Sequence, residues 1–193
     1  NSKMGIDTLI MNMGSAAECP SKALGLCKLG NRCYALKAEK MYPIVSPYRA
    51  RQANYWKSTS AEMIISDLTK AITAMRKRPK FIRLNEAGDF YTQACVDKAE
   101  TIAKSMKSLG IVTYCYTARS DLDFSGCAAL LVKGSSNDKG NNGMTIVRPL
   151  AKLTAGAGVY QENGKTFAVC PGDCRGCTYC TKSNGLNIVF AIH

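Results

Sequence analysis

Apolar positions in this chain gather into short runs separated by stretches of helical period. Thr8-Leu9-Ile10-Met11-Asn12-Met13 reads as a buried strand closed by Gly14 and Ser15. Phe81 to Leu84, Ile111 to Tyr116, Met144 to Val147 and Asn187 to Ile192 read likewise, Ala128 to Val132 is a further apolar run, and Phe167-Ala168-Val169 leads straight into a cysteine-rich loop. Between these lie helical patterns. Cys33 to Met41 is helical in composition and stopped by Pro43, and Pro47 opens another helix through Trp56. Thr59-Ser60-Ala61-Glu62 is a capping-box pattern, and the helix after it is expected to bury Met63, Ile64, Leu68, Ile72 and Met75. Val96, Ala99, Ile102, Ala103, Met106 and Leu109 mark one more helix, ended by Gly110. Residues 134–143 and 156–164 read as loops.

Strands alternating with helices predict an α/β fold over residues 1–193 as a single domain: a mostly parallel sheet or incomplete (βα) barrel with a C-terminal cysteine-rich loop. In such folds functional groups collect beyond the C-terminal ends of the strands. That rule puts Asn85, Glu86, Asp89, Arg119, Ser120, Arg148 and the loop 170–180 on one rim. Glu86 and Asp89 could hydrogen-bond a ligand, but the role expected of Asp89 is to cap the helix that follows it.

Composition narrows the class. The chain is 46% apolar, which fits a globular protein, and no apolar run approaches the length of a membrane span. Together with the cysteine usage this leads us to expect a cytoplasmic protein, with no membrane partner. A formal charge of +12 suggests a nucleic acid or other anionic partner, with Arg76-Lys77-Arg78-Pro79-Lys80 and a face of Arg49, Arg51 and Lys57 as candidate contacts. The run at 76–80 has a structural explanation too, as cations at a helix C-terminus. The one histidine is His193, so acid–base chemistry would fall to carboxylates, Lys, Tyr or Cys.

The cysteines change the picture most. Four of the ten fall at Cys170, Cys174, Cys177 and Cys180, with three, two and two residues between them. Thiolates are soft ligands that select zinc, copper(I) or iron–sulfur clusters. Structural zinc usually draws on two separated Cys pairs, whereas a continuous run of short gaps suits a cubane with an iron at each of four corners. Gly172 and Gly176, between the ligands, supply the backbone freedom such a wrapping loop needs. The expectation is a [4Fe–4S] cluster on these four thiolates, in an electron-transfer, redox-sensing or structural role. Two alternatives stay open. Cys170-x3-Cys174-x2-Cys177 matches the spacing of radical S-adenosylmethionine enzymes, although Cys180 is placed to close the fourth corner. A zinc-stabilised nucleic-acid-binding module is the other. Whether the chain is an enzyme stays open with them. Cys19, Cys27 and Cys33, with gaps of seven and five residues, could bind a second cluster, supply a ligand to the first site, or be small buried residues.

The Asn1-x-Lys3-Met4-Gly5 start, the Cys19-Pro20…Cys27…Cys33-Tyr34-Ala35 group, Gly88-Asp89-Phe90, Tyr116-Thr117-Ala118-Arg119-Ser120 and the terminal cysteines occur in that order. In this the chain resembles the phage gene product eighty-eight family. The resemblance implies a viral origin and assigns the cysteines at 19, 27, 33, 170, 174, 177 and 180 to a family pattern, leaving Cys95, Cys115 and Cys127 outside it. Two departures stand out: Asn85 occupies a place where the family often has His, and Ala118 is an extra residue in its run.

Overall fold

The computed structural model describes residues 4–149 and 158–192. Strand β1 (Thr8–Met11) leads through α1 (Pro20–Ala23), a turn of 3-10 helix at Gly30–Arg32, α2 (Tyr34–Met41), α3 (Val45–Ser58) and α4 (Ala61–Ala74) to β2 (Phe81–Leu84). Helix α5 (Gln93–Ser108) joins β2 to β3 (Val112–Thr117). Then follow β4 (Leu130–Ser135), β5 (Met144–Pro149), β6 (Val159–Glu162), β7 (Lys165–Val169) and β8 (Asn187–Ile192). They form one sheet in the order β1-β2-β3-β4-β5-β8-β7-β6. Every neighbouring pair is parallel except β6–β7. No helix among the described residues is long and apolar enough to cross a membrane.

The strand–helix alternation is thus as expected, with three local differences. Residues 159–162 form a strand rather than loop, because Asn163 and Gly164, at φ 50° and 71°, make the two-residue turn of a hairpin; Gly156 lies outside the described residues. The cap of α4 is Ser60, whose Oγ accepts from Met63 N at 3.3 Å, one residue later than the capping box implied. Of the face expected on α4, Ile64 and Ile72 are buried and Leu68 is half-buried, while Met63 and Met75 are exposed. The buried stripe is the narrow i, i+4, i+8 row that packs on α5; Met63 lies off it and Met75 lies beyond the last helical residue.

The alternation of side chains along the strands divides the sheet into two unlike faces. Leu9, Met11, Ile82, Leu84, Cys115, Leu130 and Val132 point to the face covered by the helices, where they pack with Trp56, Ile64, Ile102 and Met106. The register turns Arg83, Tyr114, Tyr116, Lys133 and Phe190 to the other face. That face is concave. Strands β3 and β8 are separated by β4 and β5, about 14 Å apart in a flat sheet, yet the rings of Tyr116 and Phe190 lie 6.1 Å apart, edge to face. Only a strongly curled sheet brings them together, so the fold is a partial barrel with helices outside. Strands β4 and β5 share only two register pairs, a stagger of the kind a closing barrel requires.

The inside of the curl is filled by an unusual connection. Strands β7 and β8 are parallel, so residues 170–186 must return from the end of one to the start of the other. This crossover has no helix. It is the cysteine loop.

Gly14, after β1, and Gly88, after β2, meet backbone to backbone. Gly88 has φ +73°, and a Cβ there would lie 2.8 Å from Gly14 O. Gly88→Ala is therefore expected to destabilise the protein by about 2–4 kcal/mol, combining left-handed strain with a clash against immobile backbone. Urea unfolding measures it, and a loss below about 0.5 kcal/mol would show that the two loops can separate freely.

Candidate functional site

Three groups of functional side chains emerge at the strand ends and on the concave face. The first joins the ends of β1, β2 and β3. Asp89 is buried, and its carboxylate accepts from Ser21 Oγ (2.6 Å), Thr117 Oγ1 (2.7 Å), Ala118 N (2.9 Å) and Phe90 N (2.8 Å). Burial raises its pKa, against the pull of these four donors. It does not cap α5, whose N-cap is Thr92; three of its four donors lie on or just after other elements, so it ties α1 and β3 to the β2 loop. Arg119 reinforces the junction, donating to the carbonyls of Phe90 and Tyr91 and to both carboxylate oxygens of Asp121. Asn85 sits at φ 54° and accepts from Met13 N at 3.3 Å. Asn is enriched at such left-handed positions, so its presence here has a backbone explanation. Glu86 pairs with Arg49, which also pairs with Glu39. Arg49 is buried, so it leaves the basic face expected of Arg49, Arg51 and Lys57. Ser120 N donates to Ala118 O at 2.9 Å within the same turn. Arg148 lies apart, bound to Glu162 at 2.5 Å between β5 and β6.

The second group is the loop 170–180 against the concave face. Cys170 N donates to Val189 O and Cys177 N to Cys174 O, so the loop leaves the sheet edge and folds on itself. Gly172 and Gly176 adopt φ +76° and +77°, as the turns between the cysteines require. The Cys174 thiol is raised by burial and by the nearby Cys170, and Cys180 is pushed by burial to about 11, with Cys170 and Cys177 adding to it. The four sulfurs therefore share one neighbourhood. Tyr114 feels Cys174, Cys180 and Cys177, while Tyr116 hydrogen-bonds Cys180; both phenols are raised chiefly by burial.

Beneath these thiols lie two cations that no carboxylate pairs with among the described residues. Arg83 donates to Met4 Sδ (3.6 Å) and Tyr34 Oη (3.1 Å), and its guanidinium lies 4.9 Å from the Tyr116 ring centre. Its Nε is shielded from solvent and has no partner. Lys133 is 1% exposed, donates to the carbonyls of Asn142 and Leu186 at 2.6 Å each, and is lowered by burial to about 8. The Cys180 charge opposes that lowering, as the Arg83 charge favours the Cys174 thiolate. Sequence reasoning missed both cations. The available signal was a charge at an inward position of an otherwise apolar strand, Phe-Ile-Arg-Leu and Leu-Leu-Val-Lys.

The third group is Cys19, Cys27 and Cys33, on the segment that follows β1. The Cys19 thiol, pushed by burial to about 11, feels Asp89 and Cys27, and Cys33 packs against the cluster of Ala16, Ala35 and Ala87. The remaining three cysteines serve the outer core: Cys115 is fully buried, and Cys95 and Cys127 pack against the helices. No disulfide forms among the cysteines. No three Cys, His, Asp or Glu side chains among the described residues converge closely enough to hold one ion. A cubane asks for less convergence, since each thiolate meets its own iron.

Of the run at 76–80, Lys77 and Lys80 pair with Asp7, at 2.8 and 3.6 Å, which ties it to the start of β1.

The family model for Gene product 88 matches residues 4–135, more than half of the chain, and the chain belongs to that family. The matched span contains Cys19, Cys27 and Cys33 and both halves of the Asp89–Arg119 junction, and it ends before Cys170. No curated protein and no solved structure matches the chain.

The junction accounts for the Gly-Asp-Phe and Tyr-Thr-Ala-Arg-Ser runs without assigning either to catalysis. Asp89→Asn would turn an amide N–H₂ toward groups that themselves donate. It is expected to cost about 2–4 kcal/mol of stability in urea unfolding, and an unchanged midpoint would show that the carboxylate is not needed as an acceptor.

Proposed function

We propose that this Gene product 88 family member is a phage-encoded iron–sulfur protein that binds a [4Fe–4S] cluster through Cys170, Cys174, Cys177 and Cys180. The observation that carries the reading is the pairing of four clustered thiols with two inward cations, Arg83 and Lys133, that no carboxylate among the described residues pairs with. Uncompensated charge inside a protein costs several kcal/mol. A [4Fe–4S] core with four thiolates carries a net charge of about −2, which would offset both cations. The donor set fits as well: four soft sulfurs and no histidine among the described residues.

The ligands also suggest the kind of chemistry. Four thiolates saturate a cubane, so the bound cluster would exchange electrons rather than bind substrate. Cys174 is exposed and the other three are half-buried, which leaves one edge accessible to a redox partner. Tyr114 and Tyr116 floor the site, and Gly5 lies against Arg175 of the loop. These walls would keep solvent from the buried corners.

Protein purified without oxygen should absorb near 400 nm, roughly as such clusters do. Cys174→Ser and Cys177→Ser should each remove the acid-labile sulfide held by this loop, and retention in both would sink the assignment. Arg83→Met should lower the midpoint potential. Unit charges roughly 8 Å apart at an effective dielectric of about 20 interact by about 2 kcal/mol, equivalent to about 90 mV for one electron. An unmoved potential in a redox titration would separate Arg83 from the cluster.

A further inference from the structure

The three N-terminal cysteines repeat, at the strand ends, what the C-terminal four do inside the curl. Cys19 and Cys27 are electrostatic neighbours, and Cys19 also feels Asp89. Cys33 packs against the small cluster of Ala16, Ala35 and Ala87, of which Ala16 lies three residues before Cys19 and Ala87 two before Asp89. Cys19 and Cys33 therefore border the same pair of loops, those after β1 and β2, where a parallel sheet of this kind presents its ligands, and Cys27 joins them as the electrostatic neighbour of Cys19.

A second observation points to a missing occupant. Few buried polar side-chain atoms among the described residues lack a partner, and one of them is Tyr91 Oη. This hydroxyl is held against Gly14, where a Cβ would come within 2.2 Å of it. Burial raises this phenol, with Glu18, Cys19 and Cys95 adding to it, and the Lys57 ammonium lies 4.7 Å from its ring centre. Each thiol group thus has an orphaned hydrogen-bonding atom beside it: Arg83 Nε at the C-terminal group and Tyr91 Oη at this one. Donors beside sulfur are what iron–sulfur sites use to stabilise their charge.

The geometry points to a second [4Fe–4S] site, in which Cys19, Cys27 and Cys33 ligate three irons and the fourth iron has no protein thiolate. Of the neighbouring acids, Glu18 is exposed to solvent and the other two are committed elsewhere. Asp89 accepts four hydrogen bonds, and Glu39 accepts from Ala16 N, Ala17 N and Arg49. Cys95 packs into the helix-side core, with Thr92 Oγ1 at 3.7 Å from its sulfur. An iron without a thiolate takes oxygen or nitrogen donors from solvent or a small molecule. The site therefore differs in kind from the saturated one: it can bind, where the other can only pass electrons.

The test counts iron and sulfide per chain on the anaerobic full-length protein, beside two serine variants. One variant replaces Cys19, Cys27 and Cys33, the other Cys170, Cys174, Cys177 and Cys180. The expected counts are about eight of each in the unaltered protein and about four in either variant. Four in the unaltered protein, kept by the triple variant, overturns the second site and leaves the C-terminal cluster standing. Four kept by the quadruple variant does the reverse and removes the proposed function. If the triple variant does not fold by circular dichroism, Cys27→Ser alone, on the turn between α1 and the 3-10 helix, serves in its place. The open iron has its own readout. Mild oxidation should expel it and leave the electron-paramagnetic signal of a [3Fe–4S] core, in the unaltered protein and the quadruple variant. Absence of that signal from both overturns the open corner.

Discussion

A single carboxylate, that of Asp89, sits where the ends of three strands and a helix have to meet. It accepts hydrogen bonds from α1, from its own loop and from the end of β3. A buried acid surrounded only by donors is worth keeping ionised, because each donor would otherwise lose its partner to a dry interior. The backbone contact of Gly14 with Gly88 and the hold of Arg119 on the carbonyls of Phe90 and Tyr91 depend on the same alignment. The loop that carries Cys19 starts from this junction, so the position of the N-terminal thiols is inherited from it.

The two faces of the sheet solve opposite problems. The outer face buries aliphatic and aromatic side chains under helices, with little polar content to satisfy. The inner face holds a guanidinium, an ammonium and two phenols beneath a crossover that has no regular structure to satisfy its own backbone. An interior of that composition gains little from the hydrophobic effect. Its cohesion must come from electrostatics and from whatever gathers the sulfurs, and the proposed anionic cluster would meet both needs.

The strand positions were legible because apolar runs such as Phe81 to Leu84 and Asn187 to Ile192 need no distant partner to be recognised. Strand β6 was not, because Val159-Tyr160-Gln161-Glu162 is a polar edge segment paired only through its hairpin. The rim was half legible. The rule for parallel sheets brought Asn85, Glu86, Asp89 and Arg119 together, but their roles depend on partners far away in sequence, such as Ser21 for Asp89. Arg49 looked like a surface cation because its counter-ions, Glu39 and Glu86, lie 10 and 37 residues away. The four C-terminal cysteines stood out by density alone. That they face Arg83 and Lys133 follows only from the curl, which no local pattern encodes.

The place of β8 has a consequence for how the chain reaches its final form. This strand enters between β5 and β7, two strands laid down earlier in the chain, and it can do so only after the cysteine loop has turned back. Until then β5 and the β6–β7 hairpin each present an open edge, ready to pair with another chain. Anything that hastens the folding-back of residues 170–186 shortens that exposure. With the proposed cluster in that loop, delivery of iron and sulfide would act as an assembly checkpoint, and a cell short of either would accumulate sticky half-sheets rather than a folded apoprotein.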